Sequence, residues 1–174
     1  MSDIIENGQL SQKQRIDLVK SFLMESDIEL ISETEMPNSF HGFSVRIMGK
    51  ELKLSILTKN VVNSGWVEKP YIKRIQVTSF IGKQIEKNVD GSCSLFLGIA
   101  FANSKPIFIV WNPFLFVFHK TNRSCYVNVE SIARCYHLGF LKTNDAKKEV
   151  YLCDSKHFCD LIKKFVEDNS VELL

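Results

Sequence analysis

Three groupings of side chains in this chain have the residue types and spacing to do chemistry. Glu51-Leu52-Lys53 sets a carboxylate and an amine two residues apart, hence on one face of a strand. Metal-dependent nucleases place a metal-binding acid beside a charge-stabilising lysine in this way. Such a centre needs a further acid, and Asp27, Glu33 and Glu35 lie upstream. So short a triplet also recurs by chance, and alternating charge is what the wet face of a strand looks like. Arg74 and Gln76 have the same spacing. Arginine matches guanine O6 and N7, and glutamine matches adenine N6 and N7, so the pair has the donors and acceptors to read base edges from a β-surface. The plainer reading is a solvated strand face holding Arg74, Gln76 and Thr78. Cys153, His157 and Cys159 offer soft ligands but lack the paired short spacing and the fourth ligand of a zinc site.

Other chemistries lack their motifs. Gly82-Lys83-Gln84 has neither the earlier glycine nor the hydroxyl of a phosphate-binding loop, and the chain contains no GxSxG or HExxH. The four histidines, His41, His119, His137 and His157, are far apart in sequence. No catalytic centre, metal or cofactor is therefore expected. The five cysteines, an odd number without repeated CxxC spacing, read as reduced thiols in a core. The N-terminus lacks the basic and apolar regions of a secretory signal, and no apolar run reaches the roughly 20 residues of a membrane span. The expectation is a cytoplasmic protein without membrane contact.

Charge is unevenly distributed. Residues 1–40 hold three basic and eight acidic side chains, residues 165–174 hold three acids and no base, and residues 41–164 hold 19 Lys and Arg against nine Asp and Glu. A body that basic suits a polyanion, because neutralised phosphates release counterions; scattered solvated lysines would give the same count. Three polar loops carry suitable donors. The first has Asn38, Ser39 and His41 near Arg46. The second, residues 64–69, has Trp66 and Lys69, with Trp66 read as a core cap in preference to a contact anchor. The third has His119, Lys120, Asn122, Arg123 and Ser124. Lys73, Lys105 and Asn112 join them as candidate contacts.

These residues need a frame. At 174 residues, 45% hydrophobic with 13 Phe, the chain is long enough for one well-packed domain. Spacing predicts a helix over residues 11–25 capped by Ser11, a loop at 36–42, and a hairpin of 43–48 with 51–58. Strands follow at 71–80, 95–101 and 107–111, the last two central and buried, with 114–118 a possible extension of the sheet. Asn128 is placed to cap a helix that Gly139 stops, and a strand at 148–153 precedes a last helix capped by Asp154 or Ser155. About seven strands without βαβ alternation predict an antiparallel, barrel-like α+β fold. We divide it into an N-terminal helix and acidic segment (1–35), a core (36–155) and a C-terminal helix and tail (156–174).

The runs Tyr71-Ile72-Lys73-Arg74-Ile75-Gln76-Val77, Leu97-Gly98-Ile99, Ile107-Phe108-Ile109-Val110-Trp111-Asn112-Pro113 and Asn122-Arg123-Ser124-Cys125-Tyr126-Val127, followed by a helix, resemble bacterial restriction proteins with plant B-three-like DNA-binding domains. The similarity spans roughly residues 71–151 and points to the N-terminal domain of LlaJI-type, McrB-like restriction subunits. It implies an open seven-stranded, mostly antiparallel pseudobarrel with flanking helices, gripping the major groove with two arms. The N-terminal arm would be residues 36–46 or 63–74, and the C-terminal arm 103–105 or 119–124. It further implies site-specific binding of double-stranded DNA, with cleavage left to a GTP-driven motor region and a separate nuclease subunit. A metal-dependent nuclease or a protein-interaction domain are the alternatives.

Overall fold

The computed structural model describes residues 2–77, 88–116 and 123–174, apart from the side chain of Asn38. Its elements in chain order are β1 (Ile5–Asn7), α1 (Gln12–Glu25), β2 (Glu29–Glu35), β3 (Phe40–Ile47), β4 (Lys50–Asn60), β5 (Val62–Asn63), β6 (Ile72–Val77), β7 (Ser92–Ala102), β8 (Lys105–Trp111), β9 (Arg123–Asn128), α2 (Val129–Leu138), β10 (Phe140–Asp145), β11 (Lys148–Cys153) and α3 (Phe158–Asp168).

Local chemistry sets the boundaries. Ser11 Oγ accepts from the Gln14 amide while Gln14 Oε1 accepts from the Ser11 amide, a capping box that starts α1. Met48 (φ 51°) and Gly49 (φ 78°) turn β3 into β4 with both residues left-handed, as two-residue hairpins require. Gly139 (φ 85°) ends α2. Asn128 stands at the α2 N-cap but makes no side-chain cap bond. Asp145 of β10 acts instead, accepting from the Asn128 amide (2.9 Å) and from Ser131 Oγ (3.2 Å).

Among the described residues the strands form two sheets. The larger, eight-stranded, runs β10-β11-β8-β7-β4-β3-β2, with β1 joining β7 at Ala100–Ala102, beyond the Ile99 position where β4 stops. The smaller runs β5-β6-β9. All pairings are antiparallel except β4 with β7. The α+β architecture is open and not closed into a barrel, with more strands than the expected seven.

Both faces of the large sheet are covered, which is why β7 and β8 read as nearly unbroken apolar runs. Cys93, Leu95, Leu97 and Ile99 of β7, with Phe108 and Val110 of β8, pack under α1 and α3. Phe96, Ala100 and Ala102, with Ile107, Ile109 and Trp111, pack against the small sheet and α2. The small sheet packs close at Gly98, where a Cβ would come within 2.7 Å of Val61 Cγ2, 2.8 Å of Ile75 Cγ2 and 3.1 Å of Trp111 Cζ3.

Two segments differ from expectation. His41 and Gly42 lie inside β3, because their pairing with Glu35 and Thr34 on one side and Ile56 and Ser55 on the other extends the strand through the turn-like composition. Where an extension of the sheet is expected over 114–118, Pro113–Leu115 is a single 3-10 turn, with 117–118 outside the described residues: Asn112 Oδ1 accepts from the Phe114 amide (3.1 Å), and Pro113 follows at the first helical position. No helix among the described residues is long and apolar enough to cross a membrane.

Candidate nucleic-acid interface

Strand period decides what β6 presents. Ile75 and Val77 are buried against β7 and β8, so Ile72, Arg74 and Gln76 point away from the core. Register brings Tyr126 of β9 and Val62 of β5 opposite Arg74, and Ser124 opposite Gln76, on that same outer face. Arg74 Nη1 donates to Ser124 Oγ (3.2 Å), and its buried Nε has no acceptor among the described residues. Gln76 and Arg123 are exposed. The expected pairing of Arg74 with Gln76 on one face is present, while Thr78 lies outside the described residues.

The β5–β6 loop adds an aromatic element. Trp66 is 44% exposed and stacks on Tyr126, with ring centroids 4.8 Å apart and planes 25° from parallel. It is thus a surface residue and not the core cap its size suggested, since Trp111 already fills the core beneath. Trp111 Nε1 donates to the Tyr126 carbonyl (3.2 Å), fixing β9 and the phenol that supports Trp66. Lys69 Nζ lies 5.4 Å from the Trp66 ring centroid, a cation–π contact. The loop is held by hydrogen bonds from the Trp66 amide to Ser64 Oγ (3.2 Å), the Lys69 amide to the Trp66 carbonyl (3.0 Å) and the Ile72 amide to the Lys69 carbonyl (3.1 Å). It consists of two consecutive β-turns, with Pro70 favoured at the second residue of the second turn.

Lys73 does not share this surface. A residue adjacent to Arg74 on a strand faces the other way, and Lys73 is 7% exposed, its ammonium donating to Asn7 and Asn63 carboxamide oxygens. Burial pulls its pKa below the ordinary lysine value. It ties the N-terminal strand β1 to β6 from beneath.

The other candidates are dispersed. His41 projects toward the α1 side of the large sheet, 4.8 Å from the Phe43 ring and 3.8 Å from Glu33, with its Nε2 lacking a hydrogen bond among the described residues. Ser39 sits at φ 66° just before β3, and the Asn38 side chain lies outside the description. Arg46 is taken up by Glu29 (3.1 Å) and Glu51 (3.2 Å), and the Glu29 contacts, then those of Glu51, hold its pKa above the usual value. Lys105 follows a two-residue hairpin turn whose Asn103 is pinned to the N-terminal segment by Ile4 (3.0 Å) and Asp3 (2.9 Å). That turn is exposed and tethered to the N-terminal segment through Asn103. Asn112 is occupied by Asn169 (2.8 Å) and Phe114. His119, Lys120 and Asn122 lie outside the described residues.

The Glu51-x-Lys53 pattern gathers no metal-type site. Glu51 is matched by Arg46, and among the described residues no three His, Cys, Asp or Glu side chains come together. Cys153 is sealed in the core, where burial raises its pKa, and His157 Nδ1 lies 2.6 Å from Asp154.

The sequence reading missed Tyr126 and Val62 because β9 and β5 were not recognised as strands. Alternation of Ser124, Tyr126 and Asn128 with buried Cys125 and Val127 was the available signal. Compared with known protein families, residues 52–162 match the family described as methylase-associated X1, a span from β4 into α3 that includes the whole small sheet. No curated protein and no solved structure matches the chain.

Proposed function

The chain belongs to the methylase-associated X1 family, and from that premise we propose that it is a site-specific double-stranded DNA-binding module of a bacterial restriction-modification system. It has no catalytic centre of its own in this reading. The carrying observation is the outer face of β6, where Arg74 and Gln76 stand side by side with the stacked Trp66–Tyr126 pair, flanked by Lys69, with Arg123 exposed at the adjoining end of β9. A twisted β-surface enters the major groove; arginine and glutamine there discriminate bases, whereas peripheral cations hold phosphates and fix register. The basic balance of residues 41–164 supplies the long-range attraction. In the finer form of the proposal the module belongs to a LlaJI-type, McrB-like subunit, with a GTP-driven motor region in the same polypeptide and a separate nuclease subunit as partners.

The test is selection of bound duplexes from a randomised pool at two salt concentrations, with methylated and unmethylated pools in parallel. An enriched motif is expected to survive the higher salt. Arg74→Ala and Gln76→Ala should each erode preference at one position by about 1–3 kcal/mol, whereas Arg123→Ala and Lys120→Ala should weaken all duplexes alike and flatten the salt dependence. Equal losses on specific and random DNA for every variant would remove base readout. Absence of duplex binding would overturn the proposal in favour of a protein partner.

A further inference from the structure

The first β-turn of the β5–β6 loop, closed by the hydrogen bond from the Lys69 amide to the Trp66 carbonyl, has Val67 and Glu68 as its two corner residues. Val67 is 94% exposed, an apolar side chain with almost no contact of its own. Glu68 is also exposed, and it makes no ion pair or hydrogen bond among the described residues although Lys69 is its neighbour. The Lys69 ammonium lies instead against the Trp66 ring. The loop therefore holds out one methyl-bearing side chain and one carboxylate that is unpaired among the described residues, on a support stiffened by Ser64, Trp66 and Tyr126.

A carboxylate at the tip of a DNA-facing loop is repelled by phosphates and is tolerated only where a donor meets it. In the major groove the base-edge donors are cytosine N4 and adenine N6; the adenine amine sits beside the N7 acceptor, which repels a carboxylate, so cytosine is favoured. An apolar side chain finds its counterpart in the thymine methyl group. Resting on the DNA-binding reading above, we propose that Val67 and Glu68 are specificity-determining residues, with Glu68 accepting from a cytosine amine and Val67 packing on a neighbouring thymine methyl. The turn thereby extends readout beyond Arg74 and Gln76 to a second set of base pairs.

The test repeats the duplex selection with the full chain and with the Glu68→Gln and Val67→Ser variants, both exposed positions, with thermal unfolding as a check of the fold. The wild-type motif is expected to contain a cytosine whose preference falls about tenfold in Glu68→Gln and moves toward adenine, the partner of a carboxamide, with the rest of the motif retained. Val67→Ser should lower a thymine preference at an adjacent position severalfold. A wild-type motif that both variants leave intact would overturn this inference while the DNA-binding reading stands. So would a Glu68→Gln variant that binds every duplex more tightly without a change in motif, because Glu68 would then act by repulsion alone. If the wild-type chain binds no duplex, the DNA-binding reading falls, and this inference with it.

Discussion

The indole of Trp66 rests on the ring of Tyr126 at a centroid separation of 4.8 Å, and Tyr126 is itself fixed from below by Trp111. One tryptophan is thus presented at the surface by another in the core. The chain contains only these two, so their emission separates by environment. Trp66→Ala is expected to remove the solvent-accessible component and leave the buried one. Loss of the stack should cost no more than about 1.5 kcal/mol of stability, read by denaturant unfolding. Duplex affinity should fall at least about fivefold, as when an aromatic interface anchor is truncated. Unchanged affinity in a titration of the folded variant would remove Trp66 from the interface.

Gly98 controls how the reading sheet sits on the frame. Its missing Cβ leaves room for Val61, Ile75 and Trp111, and two of these belong to the approach of β6 and of the strand that supports Tyr126. Gly98→Ala is expected to destabilise by about 1–3 kcal/mol through overpacking, and Gly98→Val by more. Because the strain falls between the sheets, DNA affinity should drop in Gly98→Ala even at temperatures where the variant is fully folded. A thermal melt paired with a binding titration checks both, and a stability loss without an affinity loss would show that the sheets move independently.

The core was legible because its chemistry is local. Ser11 with Gln14, the apolar runs of β7 and β8, and Gly139 each announce an element within a few residues. The alternation of Arg74 and Gln76 with Ile75 and Val77 likewise gave the outer face correctly. Lys73 was misplaced by treating a basic cluster as a surface, although strand period alone turns it inward. The partners that anchor Lys73 and Asn103, namely Asn7 and Asp3, lie tens of residues away. Trp66 could not be placed, because its exposure depends on Trp111 occupying the core beneath β9. Arg46 looked available for DNA until the β2–β3–β4 register set Glu29 and Glu51 on either side of it.

Among the described residues Lys73 has amide oxygens as its hydrogen-bond partners and no carboxylate, and burial lowers its folded-state pKa. The folded chain therefore disfavours the charged form. Between the folded value and the ordinary value near 10.4 the unfolded chain binds more protons, so stability should rise with pH in that alkaline window. Lys73→Met is expected to abolish this rise and to leave stability at neutral pH within about 1 kcal/mol or higher, since a buried charge is being replaced by an apolar side chain. Duplex affinity should change by less than about twofold if Lys73 touches no phosphate; phosphate contacts carry the salt-dependent part of affinity. Urea unfolding at pH 7 and at pH 9.5 checks the first expectation, and parallel curves for both proteins would refute it.

Asp168 closes α3 onto the far edge of the large sheet. Its carboxylate accepts from Tyr151 Oη (2.7 Å) and Lys142 Nζ (2.7 Å), and Lys164 Nζ lies 3.2 Å away. Partial burial pushes its pKa up, but the bonds from Lys142, Tyr151 and Lys164 outweigh that and hold it below the usual carboxylate value. The same contact, after burial, raises the Tyr151 phenol, so both groups keep their hydrogen-bonding forms at neutral pH. A carboxyl depressed in the folded state contributes stability that is fully present above its unfolded value, near 3.9, and is lost as pH falls through the folded value. Asp168→Asn should cost about 1–3 kcal/mol at pH 7, because three donors lose a charged acceptor. Tyr151→Phe should cost less, since Lys142 and Lys164 continue to satisfy the carboxylate. Below about pH 4 the wild-type protein should lose stability more steeply than Asp168→Asn, so that the two denaturation curves converge toward acid. Curves that stay parallel from pH 7 to pH 3 would mean that the tie of α3 to β10 and β11 rests on apolar packing, chiefly Tyr151 against Phe165, whose ring centroids lie 5.5 Å apart.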